Sequence, residues 1–100
     1  MTEFKNLSNS PAFFAGFLFV VIVYVLESLA DATWYSGMAI DPEIRLKEHN
    51  NGKSRFTKGH RPWRIIFSES HSNWTQARVR EKYLKSNAGK KWLRKYLLSN

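Results

Sequence analysis

Arg45 and His49 stand four residues apart in the run PEIRLKEHN, so on a helix their side chains leave the same face about one turn from each other. A guanidinium holds anions and an imidazole moves protons near neutral pH, although an Arg and a His at this spacing also decorate many solvent-facing helices. Farther along, Glu81 falls on the side of a helical wheel that also carries Trp74, Ala77 and Ala88, with Leu84 at its edge. A carboxylate inside an apolar stripe needs a partner. Arg78 or Lys85, three and four residues away, offers an ordinary ion pair, and a divalent cation is the other choice. Tyr24 and Tyr35 read two ways as well, as core tyrosines with a hydrogen-bonded hydroxyl or as groups that act on a substrate.

The composition narrows what these side chains can do. The 100 residues contain no cysteine, which excludes disulfides, zinc fingers, iron-sulfur clusters and thiol nucleophiles, so any metal must sit on oxygen or imidazole. The formal net charge of +8 is unevenly placed. Residues 1–40 carry one Lys against three acids, whereas residues 41–100 carry fifteen Lys or Arg against five acids. Such an excess points to a polyanionic partner, because every phosphate neutralised by Lys or Arg releases condensed counterions; a charge that only keeps the chain soluble is the plainer reading.

The length and the 43% hydrophobic content suit one compact domain. The run Val20 to Val25 is β-branched and aromatic, the composition of a buried strand. Thr33 to Met38 predicts a second strand, joined by a short connection and hence antiparallel, in which Gly37 marks a close backbone approach or a bulge. Asp41-Pro42-Glu43 starts a helix, with Asp as cap and Pro at the first helical position, and Asn51-Gly52 ends it. Residues 53–62 read as a basic loop, and Trp63 to Ser68 as a third strand whose start Pro62 limits. Helices follow over Trp74 to Ser86 and Ala88 to Leu98, with a weak break at Asn87 and Gly89. The expectation is an α+β fold, a small three-stranded, mainly antiparallel sheet flanked by about three helices, spanning residues 20–98.

Residues 1–19 form an apolar extension with a Phe13, Phe14, Phe17, Phe19 cluster, suited to a packing arm or to membrane contact through residues 12–19. The apolar run Ala12 to Leu26 is too short for a bilayer-spanning helix but matches the apolar stretch of a secretory signal, and Ala30-Asp31-Ala32 resembles a cleavage site. Against export, Lys5 is offset by Glu3 and the second half of the run has strand composition. The favoured reading is a core strand in a cytoplasmic protein.

Taken together, from about Val20 to Leu97, these residues resemble the GIY-YIG nuclease family, in particular its minimal stand-alone members related to the nuclease module at the start of the excision-repair subunit. Val23-Tyr24-Val25 looks like the first motif and Tyr35-Ser36-Gly37 like the second. The run Arg45 to Lys53, followed by the basic loop and Arg61-Pro62-Trp63, is similar to the family's first helix with its Arg. Ala77 to Lys85 is similar to the helix that bears the family's single metal-binding Glu. The resemblance implies that Glu81 holds one divalent ion, Mg²⁺ or Mn²⁺, that Arg45 stabilises charge on the scissile phosphate, and that Tyr24, Tyr35 and His49 position or deprotonate the attacking water. Ser36, Met38 and Ala39 depart from the family's usual residues around the second motif.

Phosphate contacts are expected from Lys53, Arg55, Lys58, Arg61 and Arg64 near the sheet edge, and from Lys90, Lys91, Arg94 and Lys95 on the last helix. Phe56 and Trp63 are candidates for stacking on an unpaired base, although Trp63 is more often a core residue. The leading expectation is a metal-dependent endonuclease acting on DNA, branched or damaged DNA in repair or recombination being the form that relatives of the module cut. The competing readings are a catalytically idle nucleic-acid-binding module of the same fold and an exported or membrane-attached basic protein.

Overall fold

The computed structural model describes residues 20–99; the expected extension over residues 1–19 lies outside them. Along the chain come β1 (Val21–Ser28), β2 (Trp34–Ala39), helix α1 (Pro42–Asn50), the one-turn helix α2 (Arg55–Lys58), β3 (Trp63–His71), α3 (Trp74–Lys85) and α4 (Asn87–Leu98). The strands make one sheet in the order β2-β1-β3, antiparallel at both pairings. The fold is therefore α+β with a three-stranded antiparallel sheet.

β1 holds the middle of the sheet, which is why its sequence is apolar on both sides: Val21 to Leu26 are all buried. Val21, Val23 and Val25 meet Phe67 and the α3 and α4 residues Ala77, Leu84 and Leu93 on one face. Tyr24 and Leu26 meet Ala39 and Trp63 on the other, with Leu46 of α1 packed against them. Burying these six side chains is worth on the order of 10 kcal/mol before chain entropy is charged. The β1–β3 register shifts between Val25 and Leu26, where Val25 pairs with Phe67 and Leu26 with Ile65. The extra residue, Ile66, packs on the same core as Phe67, so the bulge lets two neighbouring side chains serve one face.

The ends of α1 follow the sequence signals. The Asp41 carboxylate accepts from the amides of Glu43 and Ile44, Pro42 occupies the first turn, and Gly52 beyond the helix has a φ of 80°. Asn50 then ties α1 to β3 like an extra strand residue, donating to the Trp63 carbonyl at 3.1 Å and accepting from the Trp63 amide at 2.7 Å.

Four details differ from the sequence reading. The basic loop contains α2, because Thr57 is drawn inward by hydrogen bonds while its neighbours stay outside, and the helices among the described residues therefore number four rather than about three. β3 runs on through Glu69, Ser70 and His71, polar residues that pair with β1 at the sheet edge. The break between α3 and α4 falls at Ser86, which ends one helix and caps the next through its hydroxyl, accepting from the Gly89 amide. Gly89 is required there: a Cβ would lie 1.9 Å from the Tyr83 carbonyl oxygen. Finally, Trp74 and Ala88 are exposed, so the apolar side of Glu81 is made by Ala77 and Leu84.

Candidate active site

Gly37 of β2 faces Tyr24 of β1 in the register, and the Tyr24 ring crosses directly over it. A Cβ at position 37 would stand 2.5 Å from the Tyr24 hydroxyl oxygen and 2.7 Å from Cζ, so this glycine marks a close approach and not a bulge. The Tyr24 hydroxyl is thereby aimed toward α1, where His49 Nε2 lies 3.4 Å away. His49 is itself buried, with Nδ1 2.8 Å from Thr57 Oγ1 and its ring edge-on to Tyr35 at a centroid distance of 5.0 Å.

Arg45 leaves α1 one turn before His49, as the spacing predicts, and ion-pairs with Glu48. The electrostatics of Tyr24 locate the remaining charges. Burial pushes its hydroxyl above the usual tyrosine pKa, the adjacent Arg45 guanidinium pulls the other way, and Tyr35 and Glu81 add to the rise. Arg45 of α1 is the main charge acting on this hydroxyl, and Glu81 of α3 contributes least. Burial holds the His49 imidazole below the ordinary histidine pKa, Arg45 reinforces this and Glu48 opposes it, so His49 is neutral at pH 7 and can accept a proton.

Glu81 on α3 is 7% exposed. Its Oε2 accepts from Lys85 Nζ at 2.9 Å, and its Oε1 lies 4.0 Å from Arg78 Nε, beyond hydrogen-bonding distance. Both ion-pair partners weighed from the sequence are in place, one closely and one loosely. The donor chemistry suits a hard cation: one carboxylate whose Oε1 is loosely held. Among the described residues no group of three or more His, Asp or Glu side chains converges. A divalent ion on Glu81 would therefore draw its other ligands from waters and phosphate oxygens, as Mg²⁺ does.

Tyr35 opens onto a cleft of about 280 Å³ lined also by Trp34, Ser36, Phe56, Lys85 and Lys90. Phe56 stacks on Tyr35 at 5.9 Å yet remains 55% exposed, leaving ring surface for a ligand. Trp63, the other stacking candidate, does not face solvent: it is 3% exposed and its indole N–H donates to the Thr57 carbonyl. Lys53, Arg55, Lys58 and Arg61 are exposed on and around α2, while Arg61 Nε donates to the Lys58 carbonyl. Arg64 is exposed as well, and its guanidinium is 2.6 Å from the Glu27 carboxylate. On α4, Lys90 and Arg94 line a second cleft with Trp34, and Lys91 and Lys95 are exposed.

The family model described as "GIY-YIG catalytic domain" matches residues 20–96. The chain belongs to the GIY-YIG family. GIY-YIG domains are nuclease domains, which implies a nucleic-acid substrate, and they generally use a divalent metal. The chain is 42% identical over 62 residues to the UPF0213 protein YazA of Bacillus subtilis, covering 61% of this chain and 63% of that relative. It is 37% identical over 65 residues to a UPF0213 protein of Syntrophus aciditrophicus, covering 63% and 74%. The solution NMR structure of the UPF0213 protein BH0048 from Bacillus halodurans is 30% identical, with a TM-score of 0.48 over 77% of this chain and 84% of that one. The GIY-YIG departures noted in the sequence are packing positions of β2: Ser36 is buried, Met38 packs on the core beneath α3, and Ala39 sits in the core beneath α1.

Two site residues escaped the sequence reading. Glu48, which pairs with Arg45, was legible as an acid three residues on from a base. Thr57, which holds His49, carried no signal, since a hydroxyl in a basic run has no periodicity to betray its burial.

Proposed function

We propose that this protein is a metal-dependent endonuclease that hydrolyses phosphodiester bonds in DNA, with Tyr24, Tyr35, Arg45, His49 and Glu81 as its site. The observation that supports the reading is the Tyr24 hydroxyl set over Gly37, 3.4 Å from His49 Nε2 and beside the Arg45 guanidinium one helical turn away. Hydrolysis of a phosphodiester needs a base for the attacking water, positive charge for the phosphorane and help for the leaving oxygen.

In this reading a water held by Tyr35, between the cleft and the Tyr24 hydroxyl, attacks phosphorus. Its proton passes to the Tyr24 oxygen as the Tyr24 proton passes to His49 Nε2, giving an imidazolium. The bond from phosphorus to the leaving oxygen breaks, its electron pair stays on that oxygen, and a solvent proton completes the new hydroxyl. Burial suits His49 to this role: it is a neutral acceptor before the step and returns its proton afterwards. Arg45 faces the phosphorane oxygens. Glu81 would hold Mg²⁺ or Mn²⁺, which would supply Lewis-acid stabilisation of the leaving oxygen. Lys85 and Lys90 line the cleft where the flanking phosphates lie, and Phe56 offers its ring to a base. Lys53, Arg55, Lys58 and Arg61 extend the basic surface, with a cytoplasmic location part of the same proposal.

The test is cleavage of labelled duplex, nicked, branched and single-stranded DNA with Mg²⁺ or Mn²⁺, comparing the intact chain with Arg45→Ala and Glu81→Gln. Both variants are expected to keep the wild-type melting temperature within a few degrees, because the Arg45–Glu48 pair is part-exposed and Glu81→Gln leaves only an exposed Lys85 unpaired. Both are expected to lose about 10³-fold in cleavage. Binding without cleavage that either substitution abolishes makes the protein an idle nucleic-acid-binding module. Export is disfavoured by the position of β1: processing after Ala32 removes the middle strand of the sheet.

A further inference from the structure

We propose that Thr57 is a positioning residue that fixes the tautomer of His49, keeping the Nε2 lone pair directed at the Tyr24 hydroxyl. The inference rests on the relay just described and assigns to it a residue outside the set that the sequence points to.

The argument is one of hydrogen-bond direction. A threonine hydroxyl has one proton to give. Thr57 Oγ1 lies 3.5 Å from the Ser54 carbonyl oxygen, which can only accept, so the Thr57 proton is directed there. The same oxygen lies 2.8 Å from His49 Nδ1; with its proton given to Ser54 it accepts there, and the proposal places the imidazole proton on Nδ1. A neutral imidazole has a single N–H, so Nε2 is left as an acceptor, and the group in front of it is the Tyr24 hydroxyl at 3.4 Å. The chain of donors runs one way, from Tyr24 through His49 and Thr57 to the backbone of residue 54.

The surroundings make this arrangement rigid. Thr57 is completely buried, and its own carbonyl accepts from the Trp63 indole at 2.8 Å, which locks α2 onto β3. The groups that face the imidazole are Tyr24 of β1, Tyr35 of β2, Arg45 and Glu48 of α1 and Thr57 of α2. Of these, Thr57 is the one in contact with Nδ1. In the opposite tautomer an Nε2–H would point at the Tyr24 oxygen, Nδ1 would compete with Ser54 for the Thr57 proton, and Tyr24 would have no acceptor behind it. Buried hydrogen bonds of this kind choose between protonation states because an unmatched donor or acceptor has no water to turn to.

Heteronuclear NMR of the His49 ring nitrogens in the full chain, near neutral pH, reads the tautomer directly. The expected result is a protonated Nδ1 and a pyridine-type Nε2 in the wild type and in Thr57→Ser, with a mixture in Thr57→Val, whose shape is retained but whose hydroxyl is gone. In cleavage assays Thr57→Val is expected to lower kcat about tenfold or more at nearly constant KM, and Thr57→Ser to restore it to within about threefold. A wild-type ring protonated on Nε2 overturns the proposal, as does a Thr57→Val protein with wild-type nitrogen shifts and wild-type kcat. If the wild type cuts no nucleic acid, the nuclease reading falls on its own, and the ring-nitrogen shifts still decide what Thr57 does to His49.

Discussion

Adding one methyl group at Gly37 tests the placement of Tyr24 more sharply than removing the tyrosine. The Cβ of Gly37→Ala would lie 2.5 Å from the hydroxyl oxygen and 2.7 Å from Cζ, against ordinary contacts of 3.4–4 Å, so the ring must retreat by about 1 Å. The ring has little room to do so, since Tyr24 is 1% exposed and packed among Leu26, Ala39 and Trp63. Overpacking of this kind costs about 1–3 kcal/mol, which for a domain of this size lowers the melting temperature by roughly 5–15 °C. The same displacement pulls the hydroxyl off His49 and Arg45, and a misplacement of about 1 Å at a reacting centre is worth about 100-fold in rate. Thermal unfolding followed by circular dichroism and a metal-dependent cleavage assay read the two effects separately. Combining Gly37→Ala with Tyr24→Phe removes the nearest atom and should recover part of the lost stability, so the pair is non-additive in a double-mutant cycle while cleavage stays absent. Additive losses, or a Gly37→Ala protein that melts and cuts like the wild type, would show that the ring does not lie over Gly37.

The lowered pKa of His49 makes stability depend on pH with a definite sign. In the unfolded chain the imidazole takes a proton below about 6.5, in the fold it resists protonation, and so the contribution is present above that pH and is lost as pH falls below it. Chemical denaturation at stepped pH should show this slope in the wild type and a flatter one in His49→Gln; identical slopes would remove the buried imidazole from the account. Replacing Lys90 with Glu on the cleft wall should weaken DNA binding and reduce its salt slope by about 1, read by fluorescence anisotropy at several ionic strengths, with the melting temperature unmoved. An unchanged slope would take Lys90 out of contact with phosphate.

How much of this was legible in the sequence depends on the kind of signal each residue carries. β1 was readable because a strand buried on both faces must be apolar at every position, and Val21 to Leu26 are. α1 was readable because Asp41, Pro42 and Gly52 are local choices with local reasons. The far end of β3 was not, since Glu69, Ser70 and His71 belong to an edge strand whose pairing is set by β1 and leaves no apolar pattern. The site divides the same way. Arg45 and His49 share a helix face, which spacing alone reveals, and Glu81 stands out as a carboxylate between Ala77 and Leu84. Thr57 acquires its role only when α2 folds against α1, and the choice for Trp63 between base stacking and the core is decided for the core when the indole turns inward to hold α2. Each of these last assignments depends on contacts between elements, which no window along the chain contains.

The charges of the site are already matched before any ligand arrives. Arg45 is paired with Glu48, Glu81 with Lys85 and more loosely with Arg78, and Tyr24 is held neutral by its burial. Such an arrangement is cheap to fold, because no buried charge is left alone, but it means that a phosphodiester must exchange partners to bind. On the proposed reading, that exchange would favour a divalent ion and a phosphate together over either alone. On the proposed nuclease reading, a cation held by Glu81 would release Lys85 toward the cleft, where a phosphate would take it. A phosphate beside Arg45 competes with Glu48 and supplies the ion with oxygen ligands that one carboxylate cannot provide. The basic surface and the single acidic ligand are thus two halves of one requirement: metal and nucleic acid should each strengthen the binding of the other, by the same factor in both directions.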